Sequence, residues 1–277
     1  MSYFLGIDGG GTGCRAAIAD GSGRIIGEGA SGPANISTDV KTACANILAA
    51  ARAALEQAGR GHVDELTAVL GLAGANVTAA ALSLQSMLPF RRTRIVTDAV
   101  TAATGALGAD DGIVAAMGTG SVFAVQIGSE MRQYGGRGFL LGDEGSGAVL
   151  GRALLSEALR AEDGFVPMSP LLQAVLDELG GIEGVISFGL RARPAEFAIF
   201  APRIVAGGDP AAERLFDSAV AEIRAMIDTL QAGRDLPVVF LGGLGAHYAH
   251  RLQGLWPIRA PKGSGLDGAL HLARQEV

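Results

Sequence analysis

The stretch that decides the fold is a glycine loop, Asp8-Gly-Gly-Gly-Thr-Gly13, which lies between two predicted strands, Tyr3–Ile7 and Arg15–Ala19. A second loop, Gly118-Thr-Gly-Ser121, lies between two further predicted strands. Both loops therefore join strand to strand, whereas the phosphate loops of dinucleotide-binding and P-loop proteins join a strand to a helix. This placement predicts a different nucleotide-binding fold.

Successive backbone N–H groups without Cβ atoms allow phosphate oxygens to approach closely, and the Thr12 hydroxyl adds a donor. In a single glycine hairpin, the glycines more often serve only to form the turn. Two equivalent loops instead favour a pair of phosphate-binding hairpins that hold a triphosphate in an interdomain cleft. The predicted phosphate-binding residues of these loops are Gly9, Gly10, Gly11, Thr12, Gly118, Thr119, Gly120 and Ser121.

The order of predicted elements occurs twice along the chain. Three strands, a helix over 39–58 and alternating strands and helices fill the first 110 or so residues, and the strand pattern restarts after Ala109-Asp-Asp-Gly112. Helices are predicted later at 147–161, 169–179, 194–206 and 210–231. We expect an α/β protein of two duplicated domains, 1–111 and 112–277, with the last helix able to pack back on the first domain.

Composition excludes several classes of protein. The 277 residues include 42 glycines, 49% are apolar and only 18% are charged, which argues against disorder. With 22 Lys and Arg against 28 Asp and Glu, the net charge of −6 lacks the basic footprint of a nucleic-acid binder. The two cysteines form no CxxC motif, and no export signal or apolar span is apparent. We therefore expect a cytoplasmic protein with neither nucleic-acid nor membrane partners.

Two aspartates follow predicted strands. Asp8 could hold Mg²⁺ directly or through water, or it could be an Asx-turn residue. Asp98 follows an apolar strand and opens a helix, so it could be a general base for a hydroxyl acceptor or the N-cap of that helix. The residues alone leave both pairs of alternatives open.

Two further glycine clusters carry candidate ligand contacts. The first comprises Gly135-Gly-Arg-Gly138 and Gly142-Asp-Glu-Gly-Ser146, in which Asp143 and Glu144 could accept hydrogen bonds from vicinal sugar hydroxyls. Alternatively, Asp143 caps the following helix. The second, Leu241-Gly-Gly-Leu-Gly245, allows a nucleoside to lie against the backbone, or else packs a strand tightly against a helix.

Together these motifs resemble the actin-like ATPase superfamily, whose duplicated domains are ribonuclease H-like. Within it they are most similar to the N-acetylglucosamine kinase family, which includes bacterial glucosamine kinases and is grouped with the activator ATPases of acyl-CoA reductases and dehydratases. The resemblance covers almost the whole chain. Its carriers are Ile7-Asp-Gly-Gly-Gly-Thr12, Asn35 in Gly32-Pro-Ala-Asn35, Thr97-Asp-Ala99, Gly118-Thr-Gly-Ser121, Gly142-Asp-Glu-Gly-Ser146, Gly242-Gly243 and Gly263-Ser-Gly-Leu-Asp-Gly268.

The resemblance implies an ATP-dependent kinase that phosphorylates the 6-hydroxyl of an amino sugar, either N-acetylglucosamine or glucosamine. Asp98 would be the general base, Asp8 would hold Mg²⁺, and Gly242 and Gly243 would face the nucleoside. A homodimer is also expected. The residues implied for sugar binding are Asn35, Asp98, Thr119, Gly136, Arg137, Gly138 and Asp143.

The chain departs from the family pattern at two positions near the implied sugar site. Gly136-Arg137-Gly138 stands where the family usually has Gly-Trp-Gly, and Ala73 stands where some members have serine. Two alternative functions share the fold, a nucleotide-switch activator ATPase and a non-catalytic sugar sensor. The activators hold an iron–sulfur cluster with paired cysteines, whereas Cys14 and Cys44 lie in a predicted strand and a predicted helix.

Overall fold

The computed structural model describes residues 3–59, 61–128 and 130–276. In chain order its strands are β1 Tyr3–Gly9, β2 Cys14–Ala19, β3 Ile25–Ser31, β4 Leu66–Leu72, β5 Arg92–Thr97, β6 Gly112–Met117, β7 Ser121–Ile127, β8 Glu130–Gly135 and β9 Val238–Leu241. Its helices are α1 Val40–Ala58, α2 Thr78–Met87, α3 Asp98–Leu107, α4 Gly147–Glu162, α5 Pro170–Leu179, α6 Gly181–Gly189, α7 Pro194–Ala198, α8 Ala201–Val205, α9 Pro210–Gln231, α10 Gly245–Arg251 and α11 Gly265–Gln275.

The chain divides into two compact units. Unit 1 comprises Met1–Asp110, Gln126–Met131 and Ala260–Val277, and unit 2 comprises Asp111–Val125 and Arg132–Arg259. The predicted division at 111/112 differs from these units by one residue at the boundary, since Asp111 belongs to unit 2, and in two segments, 126–131 and 260–277, which belong to unit 1. The difference at 260–277 arises because α11 packs on β1, β4 and α3.

Unit 1 is built on a five-stranded sheet of order β3-β2-β1-β4-β5. Strands β1, β2 and β3 form an antiparallel meander, and β4 and β5 run parallel to β1. Strand β4 is buried along its whole length, as expected for a parallel strand covered on both faces. Helix α1 covers the meander, and α3 and α11 pack together beside β1 and β4.

Helix α1 shows how glycine permits this packing. The helix begins after Asp39, whose carboxylate accepts hydrogen bonds from the backbone N–H groups of residues 41 and 42. Its alanine-rich face lies directly on β3, where a Cβ on Gly27 would be 2.1 Å from the carbonyl oxygen of Ala54 and one on Gly29 would be 2.2 Å from that of Ala50. Only glycine permits so close an approach of strand and helix.

Helices α3 and α11 are equally close. A Cβ on Gly105 would lie 1.8 Å from the carbonyl oxygen of Ser264, and one on Gly268 would lie 2.0 Å from that of Thr101. The two helix backbones therefore touch without side chains between them.

Unit 2 repeats the strand order of unit 1. Its four-stranded sheet has the order β8-β7-β6-β9, which matches β3-β2-β1-β4 strand for strand. The pairing of β6 with β9 is parallel, with Ala116 opposite Leu241. The glycine loop after β6 thus occupies the same place in its sheet as the loop after β1.

One helical prediction in unit 2 was wrong, and two helices, α6 and α10, were not predicted. The helix predicted over 194–206 is two short helices, α7 and α8, because Pro202 has no N–H to donate to residue 198 and so interrupts the helical ladder. Helix α6 was not predicted, since it contains the poor helix formers Gly181, Gly184 and Gly189. Among the described residues, no helix is both long enough and apolar enough to cross a membrane.

Candidate active site

The candidate residues of unit 1 lie at one edge of its sheet. Parallel pairing places Gly9 opposite Leu72 and Leu72 opposite Thr97. The carboxyl ends of β1, β4 and β5 are therefore aligned. Asp8 and Asp98 are brought together at this edge, where ligands of α/β proteins commonly bind.

The first glycine turn holds the segments around Asn35 and Ala73. The carbonyl oxygen of Gly9 accepts a hydrogen bond from Ala73 N–H at 2.9 Å, and that of Gly10 accepts one from Ala34 N–H at 2.8 Å. The turn therefore fixes the neighbouring loops by its carbonyl groups.

Two N–H groups of the same turn are available for a ligand. Gly10 N–H closes the turn on the carbonyl oxygen of Gly13 at 2.9 Å, whereas the N–H groups of Gly11 and Thr12 have no acceptor among the described residues. Both residues are exposed, and a Cβ on Gly10 or Gly11 would meet nothing within 4 Å. This arrangement is available to an anion such as phosphate.

Asn35 has one end of its side chain already occupied. Its Oδ1 accepts hydrogen bonds from Ser37 N–H at 3.0 Å and from Ser37 Oγ at 2.8 Å. The amide orientation follows from these two donors, and it leaves Nδ2 as a donor for a ligand.

Asp8 pairs with Arg15, a residue that the sequence analysis missed. The two lie opposite each other in the β1–β2 ladder, and the guanidinium of Arg15 binds the carboxylate of Asp8. The hairpin register was the signal that could have revealed this pair. The first residue of α11 is also close, since a Cβ on Gly265 would be 3.4 Å from both carboxylate oxygens of Asp8. The side chain thus contacts strand and helix, and no Asx turn is described for it.

Asp98 is the first residue of α3 and not its N-cap. Thr97 is the N-cap, and its Oγ1 accepts a hydrogen bond from Val100 N–H at 3.4 Å. Asp98 Oδ1 accepts one from Ala99 N–H at 2.9 Å. The residue is exposed to solvent on one side, yet burial of its carboxylate by surrounding protein raises its pKa. The negative charge of Asp8 raises the pKa further, against the opposing effect of the Ala99 N–H.

The second glycine turn is held by α4. The carbonyl oxygens of Gly118 and Thr119 accept hydrogen bonds from Gly147 and Ala148 N–H at 2.8 and 3.1 Å, and Gly118 N–H bonds to Gly120 O at 2.9 Å. The first N–H groups of the helix, which have no partner within it, thus fix the turn.

Asp143 joins this turn to the third glycine cluster. Its Oδ1 accepts a hydrogen bond from Gly138 N–H at 3.1 Å, and its backbone has a left-handed φ of 60° that few non-glycine residues adopt. Burial raises the pKa of its carboxyl group, the charge of Glu144 raises it further, and the Gly138 and Ser121 N–H groups oppose the shift. The alternative role for Asp143 as a helix cap is wrong, because Ser146 caps α4.

The fourth glycine cluster packs on the second turn. Gly242 has a φ of 83°, and a Cβ there would lie 2.4 Å from the carbonyl oxygen of Met117. That same oxygen accepts a hydrogen bond from Leu244 N–H at 3.0 Å. Close backbone packing therefore explains Gly242, while a Cβ on Gly243 would meet nothing within 4 Å and leaves a surface for a ligand.

Tyr248 on α10 is a second residue that the sequence analysis missed. Its buried hydroxyl donates a hydrogen bond to the carbonyl oxygen of Gly145 at 2.6 Å, which ties α10 to the loop that carries Asp143. Burial raises the pKa of this phenol strongly, so it remains a donor. A cavity of about 200 Å³ lies beside α10 and is lined by residues that include Phe216, Ala246 and His247.

Neither cysteine is suited to hold a metal cluster. Cys14 and Cys44 are both buried and unpaired, and burial raises the pKa of Cys14 to about 11, which disfavours the thiolate. Within residues 3–59, 61–128 and 130–276, no group of three or more His, Cys, Asp or Glu side chains is arranged to bind a metal ion.

Comparison with known proteins places the chain in a family. The model of the BadF/BadG/BcrA/BcrD ATPase family matches residues 5–252. The chain belongs to this family. Its fold is that of two actin-like ATPase domains, as the sequence predicted.

The relatives of the chain include named kinases. The chain is 33% identical to glucosamine kinase GspK of Vibrio cholerae, over 99% of the chain and 96% of that protein. It is 27% identical to an N-acetylmuramic acid/N-acetylglucosamine kinase of Clostridium acetobutylicum, over 83% of the chain and 81% of that protein. The solved structure of a candidate N-acetylglucosamine kinase from Chromobacterium violaceum is similar, with a TM-score of 0.85, 32% identity and 99% of each chain covered. The predicted resemblance is confirmed.

Proposed function

We propose that the chain is an ATP-dependent kinase that transfers the γ-phosphoryl group to the 6-hydroxyl of an amino sugar, N-acetylglucosamine or glucosamine. The observation that carries the proposal is the placement of Asp98 beside Asp8 and the first glycine turn, at the aligned ends of β1, β4 and β5. The names of the Vibrio cholerae and Clostridium acetobutylicum relatives support an amino sugar as acceptor.

Asp98 acts as the general base in this proposal. Burial raises its pKa, which makes it a stronger base than an ordinary aspartate. The carboxylate takes the proton of the sugar hydroxyl as the hydroxyl oxygen attacks the γ-phosphorus. The bond from that phosphorus to the bridging oxygen breaks, and ADP leaves.

The two glycine turns bind the phosphates of ATP. In the first turn, the donors are the free N–H groups of Gly11 and Thr12 and the hydroxyl of Thr12. The second turn is formed by Gly118, Thr119, Gly120 and Ser121. Phosphoryl transfer depends mainly on positioning and charge neutralisation, which fixed backbone donors provide.

Asp8 is the residue that would hold Mg²⁺. Magnesium is usually bound through one or two carboxylates together with substrate phosphates and water, so a single aspartate beside a phosphate turn fits. The ion would neutralise charge on the phosphoryl group. Arg15 binds the same carboxylate and would compete with the ion for it.

The remaining predicted residues bind the sugar and the nucleoside. Asn35 offers its Nδ2 donor, and Asp143 offers carboxylate lone pairs beyond those that the Gly138 and Ser121 N–H groups use. Thr119, Gly136, Arg137 and Gly138 complete the sugar site. Gly242 and Gly243 face the nucleoside, and the open space beside Gly243 leaves room for it.

The activator-ATPase alternative has no support here, since the buried cysteines cannot act as paired cluster ligands without rearrangement. The sensor alternative predicts sugar binding without turnover. A homodimer and a cytoplasmic location remain predictions from the sequence. Light scattering of the purified protein and fractionation of cells test them.

The deciding experiment is an ADP-release assay over a panel of sugars that includes glucosamine, N-acetylglucosamine, N-acetylmuramic acid and glucose. We expect release with at least one amino sugar. Asp98→Asn should lower kcat by about 10²- to 10⁴-fold, the range for loss of a general base. ATP affinity, measured by calorimetry, should stay the same, and Asp64→Asn, at an exposed carboxylate, is the matched control. Undiminished turnover in Asp98→Asn would contradict the base assignment, and sugar binding without ADP release would favour the sensor.

A further inference from the structure

A cavity of about 540 Å³ lies within unit 1, and all of its lining residues belong to that unit. Its volume is in the range of pockets that hold small molecules. None of the residues assigned above to phosphate, magnesium, sugar or nucleoside lines it. The cavity is therefore separate from the candidate active site.

Three walls of the cavity are each one face of a regular element. The wall from β5 has alternate residues, and the walls from α3 and α11 have residues four apart, which is the spacing of a single face. These residues are Arg94 and Val96 of β5, Val100 and Thr104 of α3, and His271 and Gln275 of α11. Because the backbones of α3 and α11 touch at Gly105 and Gly268, the two helical walls are fixed relative to each other.

Gln126, at the end of β7, supplies a hydrogen-bond acceptor to the cavity. The residue is 7% exposed, and its Nε2 donates to the carbonyl oxygens of Gly108 and Asp110 at 2.8 and 2.9 Å, which fixes the amide orientation. Its Oε1 has no donor among the described residues. In the same part of the chain, no side-chain nitrogen or oxygen atom is both sealed and unpaired, so Oε1 is accessible from the cavity that Gln126 lines.

The charge of the lining is basic. Among the described residues that line the cavity there is no Asp or Glu, whereas Arg94 carries a permanent positive charge. Its Nη1 binds Glu276 at 2.9 Å, which leaves Nη2 and Nε as donors. The Nε2 atoms of Gln275 and His271 are 3.0 Å apart, so the amide donates to this ring atom and the neutral imidazole carries its proton on Nδ1. The cavity thus has N–H donors at its exposed side and an acceptor at its buried side.

We propose that this cavity binds a small organic anion that carries a carboxylate or a phosphate. The anionic group lies at Arg94, whose N–H groups match the paired oxygens of either anion. An apolar body packs between Val100 and Leu272, and a hydroxyl or N–H group at the other end donates to Gln126 Oε1. The site is distinct from the proposed kinase function and does not depend on it.

The test measures the binding of chemical probes to the full chain by calorimetry. The probes p-hydroxyphenylacetate and p-hydroxybenzylphosphonate carry all three groups and differ in the anion, so the tighter binder identifies the preferred head group. The uncharged p-hydroxyphenethyl alcohol should bind at least about tenfold more weakly than the better acid. Phenylacetate, which lacks the donor to Gln126, should bind about 2- to 10-fold more weakly than p-hydroxyphenylacetate.

Substitutions of Arg94 locate the probes in the cavity. Arg94→Gln should weaken binding of the better acid by about tenfold, because a charge-assisted hydrogen bond is lost. Arg94→Lys keeps the charge and should retain most of the affinity, which separates loss of charge from a change in folding. Arg92→Gln, at an exposed arginine of the same strand and outside the cavity, is the matched control and should bind as the parent does.

Three results would overturn the proposal. Neither acid binds the parent at millimolar concentration, the uncharged alcohol binds as tightly as the acids, or Arg94→Gln and Arg92→Gln bind the better acid equally well. Because calorimetry records binding without turnover, each of these results leaves the kinase assignment untouched. Failure of every sugar to stimulate ADP release would in turn leave this site standing.

Discussion

The carboxylate of Asp143 packs against the backbone of Gly120. A Cβ on Gly120 would lie 2.7 Å from Asp143 Oδ2, closer than real contacts allow. The turn after β6 that is proposed to bind phosphate and the aspartate proposed to bind the sugar are therefore in direct contact within unit 2. Any side chain at position 120 must displace one or the other.

Gly120→Ala is accordingly expected to impair turnover more than stability. The added methyl group pushes away Asp143, a partly exposed side chain that can move at little cost in folding energy. We expect kcat/KM for the amino sugar to fall by about tenfold or more, because small misplacements of positioning groups have large kinetic effects. Steady-state kinetics and thermal unfolding measure the two effects. Gly21→Ala, at a turn where a Cβ meets nothing within 4 Å, should change neither.

Asp98→Asn is expected to stabilise the protein at neutral pH while it removes activity. Folding raises the pKa of Asp98, so the folded state is disfavoured once this group ionises. The parent should lose stability relative to the variant as the pH rises from about 4 through the raised pKa, and the two should converge at lower pH. Urea unfolding at several pH values measures the difference. A variant less stable than the parent at pH 7 would show that the carboxylate is favoured in the fold.

Substitutions of Asp8 and Arg15 should change the Mg²⁺ concentration required for activity in opposite directions. Asp8→Asn removes the proposed ligand and should raise the Mg²⁺ concentration needed for half-maximal ADP release. Arg15→Gln removes the competing cation and should lower it. The Arg15 side chain is 61% exposed, so Arg15→Gln should alter unfolding free energy by less than about 1 kcal/mol. A shift in the same direction for both variants would contradict the assignment of Asp8 as the magnesium ligand.

Gly268→Ala is expected to destabilise unit 1 strongly. The new Cβ would meet the carbonyl oxygen of Thr101 at 2.0 Å, and a backbone atom inside a helix cannot move aside cheaply. We expect a loss of more than about 2 kcal/mol in unfolding free energy. Gly189→Ala, at the end of α6 where a Cβ has open space, is the matched control and should be neutral or slightly stabilising.

Tyr248→Phe tests the link between α10 and the loop that carries Asp143. The change removes the donor to the buried carbonyl oxygen of Gly145 and should cost about 1 to 3 kcal/mol of stability. Denaturant unfolding measures this loss. Tyr134→Phe, at an exposed tyrosine on β8, should have little effect. Equal effects at the two positions would mean that the buried hydrogen bond contributes nothing specific.

Local sequence was a good guide where the elements are short and bounded by glycine. All three strands of the first meander, helix α1 and both glycine turns occur where they were predicted, since apolar runs bounded by turn residues are local signals. The prediction of one continuous helix over 194–206 was wrong because a proline interrupts an otherwise helical pattern. Helix α6 was missed because its glycines have low helix propensity, and the helix forms because packing overrides that propensity.

The sequence by itself determined the duplicated α/β plan and the identity of the candidate site residues. Both could be recognised because glycine loops and aspartates stand at the ends of predicted strands. The partners of those residues were decided only by the tertiary structure. Arg15 meets Asp8 through hairpin register, Tyr248 meets Gly145 across more than 100 residues of chain, and α11 returns to contact Asp8. Such contacts join positions distant in the chain, and they follow from how the sheets and helices pack.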